Sequence, residues 1–346
     1  MKRKAFQEIF VSSFSDPEAW RRWVFDEVVG SDEQIEVLAD GQGKAVAALL
    51  RQPYAFSYFS EELPSEYISC VATRPEARGK GLASQLMVNA LRGARKAGAA
   101  MCSLIPARDH LYFFYRNFGF ATVFYVDREH YIAEHCFGPG SGEVVEPSYE
   151  IFHALEERLG TAVMHSVTDY AHILQDMAID GGDCVVAARD GDNLAMLFAV
   201  SDSNSVTVKS LLANSPEVAE TALCELQRRL PGRKVTVNEP PMSGVRAYLR
   251  AYGMARILDA KAFLDVLASR HKRLVYTIRL TDRLLPENSG LYHIAGGKCV
   301  RDDSNAGPYD LDVTPEVLAE ILMSAPEIGS IFNLPARRPY MALMLD

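Results

Sequence analysis

Apolar residues first recur at helical spacing over 17–29, where Trp20, Trp23, Val24 and Val28 form one stripe. Asp16 can cap this helix, and Pro17 suits its first turn. Short apolar runs at 34–38, 44–50 and 54–59 then predict strands, with Asp40-Gly41-Gln42-Gly43 turning the chain between the first two. A fourth strand is predicted at 66–73. Helical periodicity resumes from Gly79 to about Lys96, with Leu82, Leu86, Val88, Ala90 and Leu91 apolar and Arg92, Arg95 and Lys96 at the C-terminal end. A strand at 100–105, a short helix at 110–117 and a strand at 120–126 complete this stretch.

Gly138-Pro139-Gly140-Ser141-Gly142 reads as a linker. Beyond it, helices are expected near 147–158 and 168–179, strands near 183–189, 194–201 and 205–212, a helix at 216–229 and a strand near 233–238. This is a second mixed α/β unit without a Gly-rich strand-to-helix turn, since Gly181-Gly182 precedes a strand. A third unit begins near Met254, with a helix at 262–268, strands at 275–280 and 290–294, and a last helix opened by Thr314-Pro315-Glu316. The tail ends in the apolar run Met341 to Leu345 before Asp346, a composition expected to pack.

Length and composition fit this division. The chain has 346 residues, 48% hydrophobic and 23% charged, enough to bury several cores and outside the disordered and fibrous classes. No apolar run reaches the roughly 18 residues of a membrane span. The start is basic, but Glu8 falls where a signal peptide needs its apolar centre. The expectation is a soluble cytoplasmic protein. The net charge of −9 opposes a nucleic-acid binder. Residues 1–140 carry −1 of it, so an acidic remainder could steer cationic substrates, although solubility explains it equally well. The six cysteines are at least 32 residues apart, which excludes a CxxC pair and favours buried thiols. His130, His135 and Cys136 are near neighbours, but strand alternation puts the two histidines on opposite faces, so no metal is expected. His110 reads as a surface histidine.

Candidate chemistry concentrates in Val71-Ala72-Thr73-Arg74-Pro75-Glu76-Ala77-Arg78-Gly79-Lys80-Gly81-Leu82-Ala83-Ser84. A strand ends, a loop holds two glycines, and a helix starts. Glycines let the backbone approach a phosphate, and the first helical N–H groups point at it. From Arg74 to Lys96 there are six Lys/Arg against one acid. Neither the dinucleotide fingerprint nor the P-loop pattern is met. A Gly-rich helix start without a ligand is the alternative.

Arg78-Gly79-Lys80-Gly81-Leu82-Ala83 resembles the Arg/Gln-x-x-Gly-x-Gly/Ala signature of the GNAT acetyltransferases. The resemblance implies an acetyl-CoA site in which loop amides from Arg78 to Ser84 hold the pyrophosphate and the strand Val71, Ala72 and Thr73 splays to bind pantetheine. Tyr112-Phe113-Phe114-Tyr115-Arg116-Asn117-Phe118-Gly119-Phe120 resembles the family's later motif, which implies that Tyr115 sits near the CoA sulfur as general acid; a core aromatic is the alternative. The whole chain is similar to the Eis-type acetyltransferases, through its Phe10-to-Trp23 pattern, Gly253-Met254-Ala255-Arg256-Ile257-Leu258-Asp259, and Thr277-Ile278-Arg279-Leu280-Thr281-Asp282 followed by Asn288-Ser289-Gly290.

That similarity implies an α/β (α+β) chain of three domains. They are a GNAT domain at 1–137, a second GNAT-like domain without the CoA motif at 145–253, and a sterol-carrier-like α/β domain at 254–346 whose tail returns to the active site. There the terminal carboxylate of Asp346 would act as general base; a packed, non-catalytic tail is the alternative. The implied activity is acetyl transfer from acetyl-CoA to a primary amine by direct attack in a ternary complex, with no metal. The acceptor would be a small amine or a peptide lysine, and the protein a homo-oligomer that engages neither nucleic acid nor membrane. Trp20, Trp23, Phe56, Tyr58, Phe59, Glu61 and Glu62 could line an aromatic, acidic acceptor pocket. The other readings are a non-catalytic acyl-CoA or lipid-binding protein, and an assembly role.

Overall fold

A computed structural model of the chain describes residues 2–241, 249–304 and 306–345. They form two compact units, one from 2–123 and 253–338, the other from 124–252 and 339–345. The elements in chain order begin with α1 (Lys2–Ser13) and α2 (Glu18–Trp23), the latter running into a wider turn at Val24–Val28. Next come β1 (Ile35–Ala39), β2 (Ala45–Tyr58), β3 (Glu61–Thr73), α3 (Leu82–Lys96), β4 (Met101–Leu104), α4 (Asp109–Arg116) and β5 (Ala121–Tyr131). The second unit continues with β6 (Glu143–Val145), α5 (Tyr149–Glu157), β7 (Ala162–Met164), α6 (Val167–Ile179), β8 (Asp183–Arg189), β9 (Asn193–Ser201), β10 (Ser205–Ala213), α7 (Pro216–Arg229) and β11 (Lys234–Glu239). The chain re-enters the first unit along β12 (Leu249–Ile257). It adds α8 (Ala260–Arg270), β13 (Tyr276–Leu280), β14 (Gly290–Ala295), β15 (Lys298–Asp302), β16 (Leu311–Val313), α9 (Pro315–Leu322) and α10 (Pro326–Ile331).

The runs expected as separate strands at 44–50 and 54–59 are one long strand, β2. It continues through Pro53, whose fixed φ is compatible with extended backbone. β2 and β3 form a hairpin whose two turn residues, Phe59 and Ser60, both have positive φ (50° and 61°). That geometry is normally announced by Asn-Gly or Asp-Gly, so the sequence carries no signal for it. The helix expected from Gly79 starts at Leu82, because Gly79 and Gly81 are both left-handed. The first helix, α1, was not anticipated; it buries Phe6, Ile9 and Phe10, and Phe10 stacks on Trp20.

In the first unit β1, β2 and β3 are antiparallel, β3 runs parallel to β4, and β4 pairs antiparallel with β12. α3 covers this sheet through Leu86, Met87, Ala90, Leu91 and Ala94, in a core with Leu49, Ile68, Leu104, Tyr115 and Phe120. A smaller sheet in the same unit has the order β15-β14-β13-β16, and α8 buries Phe263 against Phe56 and Tyr58 of β2.

The second unit repeats the first arrangement. β8, β9 and β10 are antiparallel, and β10 runs parallel to β11 after a crossover through α7. Even a bulge is repeated: Leu50↔Ser69 is followed by Ala48↔Ala72, and Val208↔Ala199 by Ser210↔Phe198, so β3 and β10 each carry an extra residue near the same place. The core of this unit gathers Val185, Leu197, Val208, Leu226 and Val237.

Candidate acetyl-CoA site

The site follows from how β3 leaves the sheet. Its ladder to β4 joins Ser65, Glu66 and Tyr67 to Met101, Cys102 and Ser103. Beyond Tyr67 the strand keeps its pairing with β2, while β4, which pairs with β12 along its other edge, ends at Leu104, so the β3–β4 ladder stops there. The bulge lies at the parting. Cys70 takes φ +54°, a conformation rare outside glycine, and this re-aims Val71, Ala72 and Thr73. Those residues therefore run along β2 on one side and, among the described residues, along no strand on the other, which leaves one edge of their backbone available to an extended ligand.

The strand then delivers the chain to a short turn at Pro75–Ala77, followed by Arg78 in extended conformation and Gly79 at φ +76°. Arg78 folds back, its Nε donating to the Thr73 carbonyl at 3.2 Å, which ties the loop to the strand end. Gly81 (φ +74°) precedes α3, with no side-chain cap. The first bond of the helix runs from the Gln85 N–H to the Gly81 carbonyl, so the amides of Leu82, Ala83 and Ser84 lack partners within the helix. A Cβ built on Gly79 or Gly81 would meet nothing within 4 Å. A run of amides without intrahelical partners at the positive end of a 15-residue helix, beside Lys80 and Arg78, suits a diphosphate.

Tyr115 projects from α4 and is 7% exposed. Its ring lies 6.1 Å from Phe120 and 5.2 Å from Phe114. Burial pushes its phenol up to about 12. It belongs to the same apolar cluster as Ile68, with Val71 and Leu82 packed at the edge. The structure thus brings together three candidates from separate motifs: the splayed strand, the helix start and the tyrosine.

Other candidates are dispersed. Phe56 and Tyr58 are wholly buried beneath α8, Phe59 meets the His271 ring at 5.2 Å, and Glu61 pairs with Arg270 at 2.5 Å. Trp20, on α2, is buried against Phe10 of α1, Trp23 is half-buried, and Glu62 is exposed. They do not gather into one cleft. His110 is exposed, His130 contacts Thr236 at 3.0 Å, and His135 packs between Tyr131 and Phe137. Asp346 lies outside the described residues. The apolar run before it packs as expected: Met341 to Leu345 are all buried.

Sequence reasoning missed the buried clamp that holds the turn after α4. The Arg256 guanidinium, 1% exposed, donates from Nη2 to both oxygens of Asp282 at 2.7 and 2.8 Å, and from Nη1 to the Phe118 carbonyl just after α4. Gly119 (φ +81°) is needed there, since a Cβ would collide with that guanidinium. The buried ion pair joins residues on either side of α8, and only an arginine within the apolar run Gly253-Met254-Ala255-Arg256-Ile257-Leu258 could have hinted at it.

Residues 2–123 match the family of the acetyltransferase (GNAT) domain. No curated protein matches the sequence. Among solved structures, a GCN5-related N-acetyltransferase from Kribbella flavida is 19% identical, with a TM-score of 0.76 over 99% of this chain and 95% of its own. A probable N-acyltransferase from Enterococcus faecalis is 14% identical, with the same TM-score over 99% and 96%. Eis1 from Mycobacterium abscessus is 16% identical, with a TM-score of 0.68 over 92% and 86%. At these identities the likeness is one of fold.

Proposed function

We propose, from the GNAT acetyltransferase domain that residues 2–123 form, that the chain is an acetyl-CoA-dependent N-acetyltransferase acting on a primary amine. The observation that supports this reading is that β3 loses its β4 partner after Tyr67 and leads through two left-handed glycines into α3, whose first amides have no partner within the helix, while Tyr115 shares an apolar cluster with Val71 and Leu82. In this reading Arg78 to Ser84 hold the diphosphate, and Val71 to Thr73 align the pantetheine arm.

The acceptor nitrogen attacks the thioester carbonyl directly, the C–S bond breaks, and no covalent enzyme intermediate forms. A primary alkylamine has a pKa of about 10 and must lose a proton first. Asp346 is the proposed base. A terminal carboxylate has a pKa near 3.5, so it needs burial or a bridging water to serve. Tyr115 donates a hydrogen bond to sulfur as negative charge develops. Because its phenol is raised by burial, full proton transfer to a thiolate of pKa about 8.5 is uphill, and its role is to stabilise the leaving sulfur until solvent protonates it. The three-domain layout at 1–137, 145–253 and 254–346, with its sterol-carrier-like third part, belongs to the same proposal. So do a small amine or peptide lysine as acceptor, a homo-oligomeric state and a cytoplasmic location.

Calorimetric titration with acetyl-CoA tests the reading, beside Gly81→Glu, which places bulk and negative charge in the cradle. Micromolar binding that the substitution abolishes, followed by amine-dependent thiol release, supports it. A wild-type protein that does not bind acetyl-CoA refutes it.

A further inference from the structure

At the start of β3, roughly 40 Å along the strand from the glycine loop, the first unit contains an open groove of about 980 Å³. One wall is the chain leaving α8, from Arg270 to Leu274; the other is the turn after α10, from Asn333 to Arg337; Phe59 lies at the base. Arg270, Lys272, Arg273 and Arg337 line it, and no carboxylate does. Arg270 is matched by Glu61 outside the lining. Lys272, Arg273 and Arg337 have no ion-pair partner among the described residues. In a chain of net charge −9, three uncompensated cations around one groove are a local reversal of sign. Cations commonly sit near a helix C-terminus, but that effect fades within the last turn. Arg337 also comes from a different element altogether.

Both walls are preformed. The His271 and Leu274 amides close the turn after α8. On the other side the Leu334 amide bonds the Gly329 carbonyl and the Arg337 amide the Leu322 carbonyl. The floor is apolar, with Phe59, Leu274 and the buried Leu334. Arg337 places its guanidinium 5.5 Å from the Phe59 ring centre, and His271 packs edge-on to the same ring. His271 Nε2 is buried with no hydrogen-bond partner among the described residues. Burial and the adjacent Arg337 charge lower the His271 pKa, which keeps its ring neutral and able to donate or accept one bond.

We propose that this groove is a second ligand site, separate from the acyl-CoA cradle, for an organic oxyanion with an apolar body. The headgroup would lie between Lys272, Arg273 and Arg337, and the body on Phe59 and Leu334. A carboxylate and a phosphate ester share this chemistry.

The test uses the full chain and 8-anilinonaphthalene-1-sulfonate, an aromatic anion whose fluorescence rises in apolar surroundings. Saturable binding is expected, with displacement by octanoate or octyl phosphate; whichever competes better identifies the headgroup. Octanol, of equal chain length and no charge, is expected to displace at least tenfold less well. Arg273→Glu/Arg337→Glu, both at exposed positions, is expected to weaken the dye at least tenfold with an unchanged unfolding midpoint. Gly81→Glu is expected to bind the dye as wild type does, so failure of the acetyl-CoA reading leaves this result standing. Absence of saturable binding, equal displacement by octanol, or unchanged affinity in the double variant overturns the proposal.

Discussion

Replacing Arg256 with methionine keeps the length and apolar stem of the side chain and removes its charge. Asp282, 3% exposed, is then left buried without its counter-ion. It keeps three donors, the Leu284 and Leu285 amides at 3.0 Å and Asn288 Nδ2 at 3.2 Å. The loss therefore falls near the lower end of the roughly 3–5 kcal/mol typical of breaking a buried pair. The Phe118 carbonyl loses a charged donor as well, adding about 1 kcal/mol. About 4 kcal/mol in total would lower the unfolding midpoint of a unit of this size by roughly 8–16 °C. The chain has two tryptophans, Trp20 and Trp23, both in the first unit, so their fluorescence follows that unit's unfolding. Gly119→Ala supplies an independent check. In the wild type it brings a Cβ against the guanidinium. In Arg256→Met that obstacle is gone, and the same change costs only the positive-φ penalty of about 1–2 kcal/mol. A loss below about 1 kcal/mol in Arg256→Met, or strict additivity of the two substitutions, would refute the clamp.

Tyr115→Phe is expected to lower kcat at least tenfold with the acetyl-CoA KM nearly unchanged; an unaltered kcat removes its role at the sulfur. Because burial raises this phenol to about 12, it stays protonated through pH 10, so kcat should show no alkaline fall from Tyr115 below that pH. Deleting Asp346, or extending the chain past it, is expected to reduce turnover while acetyl-CoA still binds, and full activity in either form discards the terminal carboxylate as base. In the second unit, burial together with Glu129 and Asp127 raises Glu239 to about 7. Its native form holds a proton that the unfolded chain releases near 4.5, so its contribution to stability declines as pH rises between these values and is lost above about 7. Glu239→Gln should accordingly stabilise this unit at pH 8, by at most about 3 kcal/mol, and change nothing at pH 4; calorimetry showing equal effects at both would contradict the assignment.

The local conformation of the candidate site was readable in the sequence. Arg78 to Ser84 carry their own instruction, because two glycines followed by an apolar helical stripe permit few other conformations. The short helix that carries Tyr115 was readable for a similar reason, since Gly119 closes it. The bulge at Cys70 was not readable, since no residue type there announces positive φ. Nor was the clamp, because Arg256 and Asp282 meet only through tertiary folding. The same limit explains the scattered aromatic candidates. Composition grouped Trp20 with Phe56 and Tyr58, but strand and helix packing sends Trp20 to α1 and the other two beneath α8.

The second unit repeats the strand arrangement of the first without its glycine loop. β10 and β11 pair from Ser205 to Val208 and then separate past a bulge, as β3 and β4 do. Two differences follow. The turn into α7 is Asn214-Ser215-Pro216, with Ser215 extended at the cap and Pro216 removing one amide, so no left-handed glycine opens the backbone to a phosphate. The gap is also filled from within the chain. Tyr340 bonds through its backbone to Thr161 and Val163, and its hydroxyl lies 2.9 Å from that of Ser210, just past the bulge. Burial and the nearby carboxylates Glu239 and Glu156 raise its phenol far above the usual range, which fixes it as a neutral, buried plug. The tail that follows is apolar and buried. A pantetheine arm entering here would have to displace a hydrogen-bonded tyrosine and would find no amide cradle beyond it. Acetyl-CoA should therefore bind with a stoichiometry of one per chain; a second site of similar affinity in the calorimetric titration would mean that the tail leaves this gap more readily than its buried contacts allow.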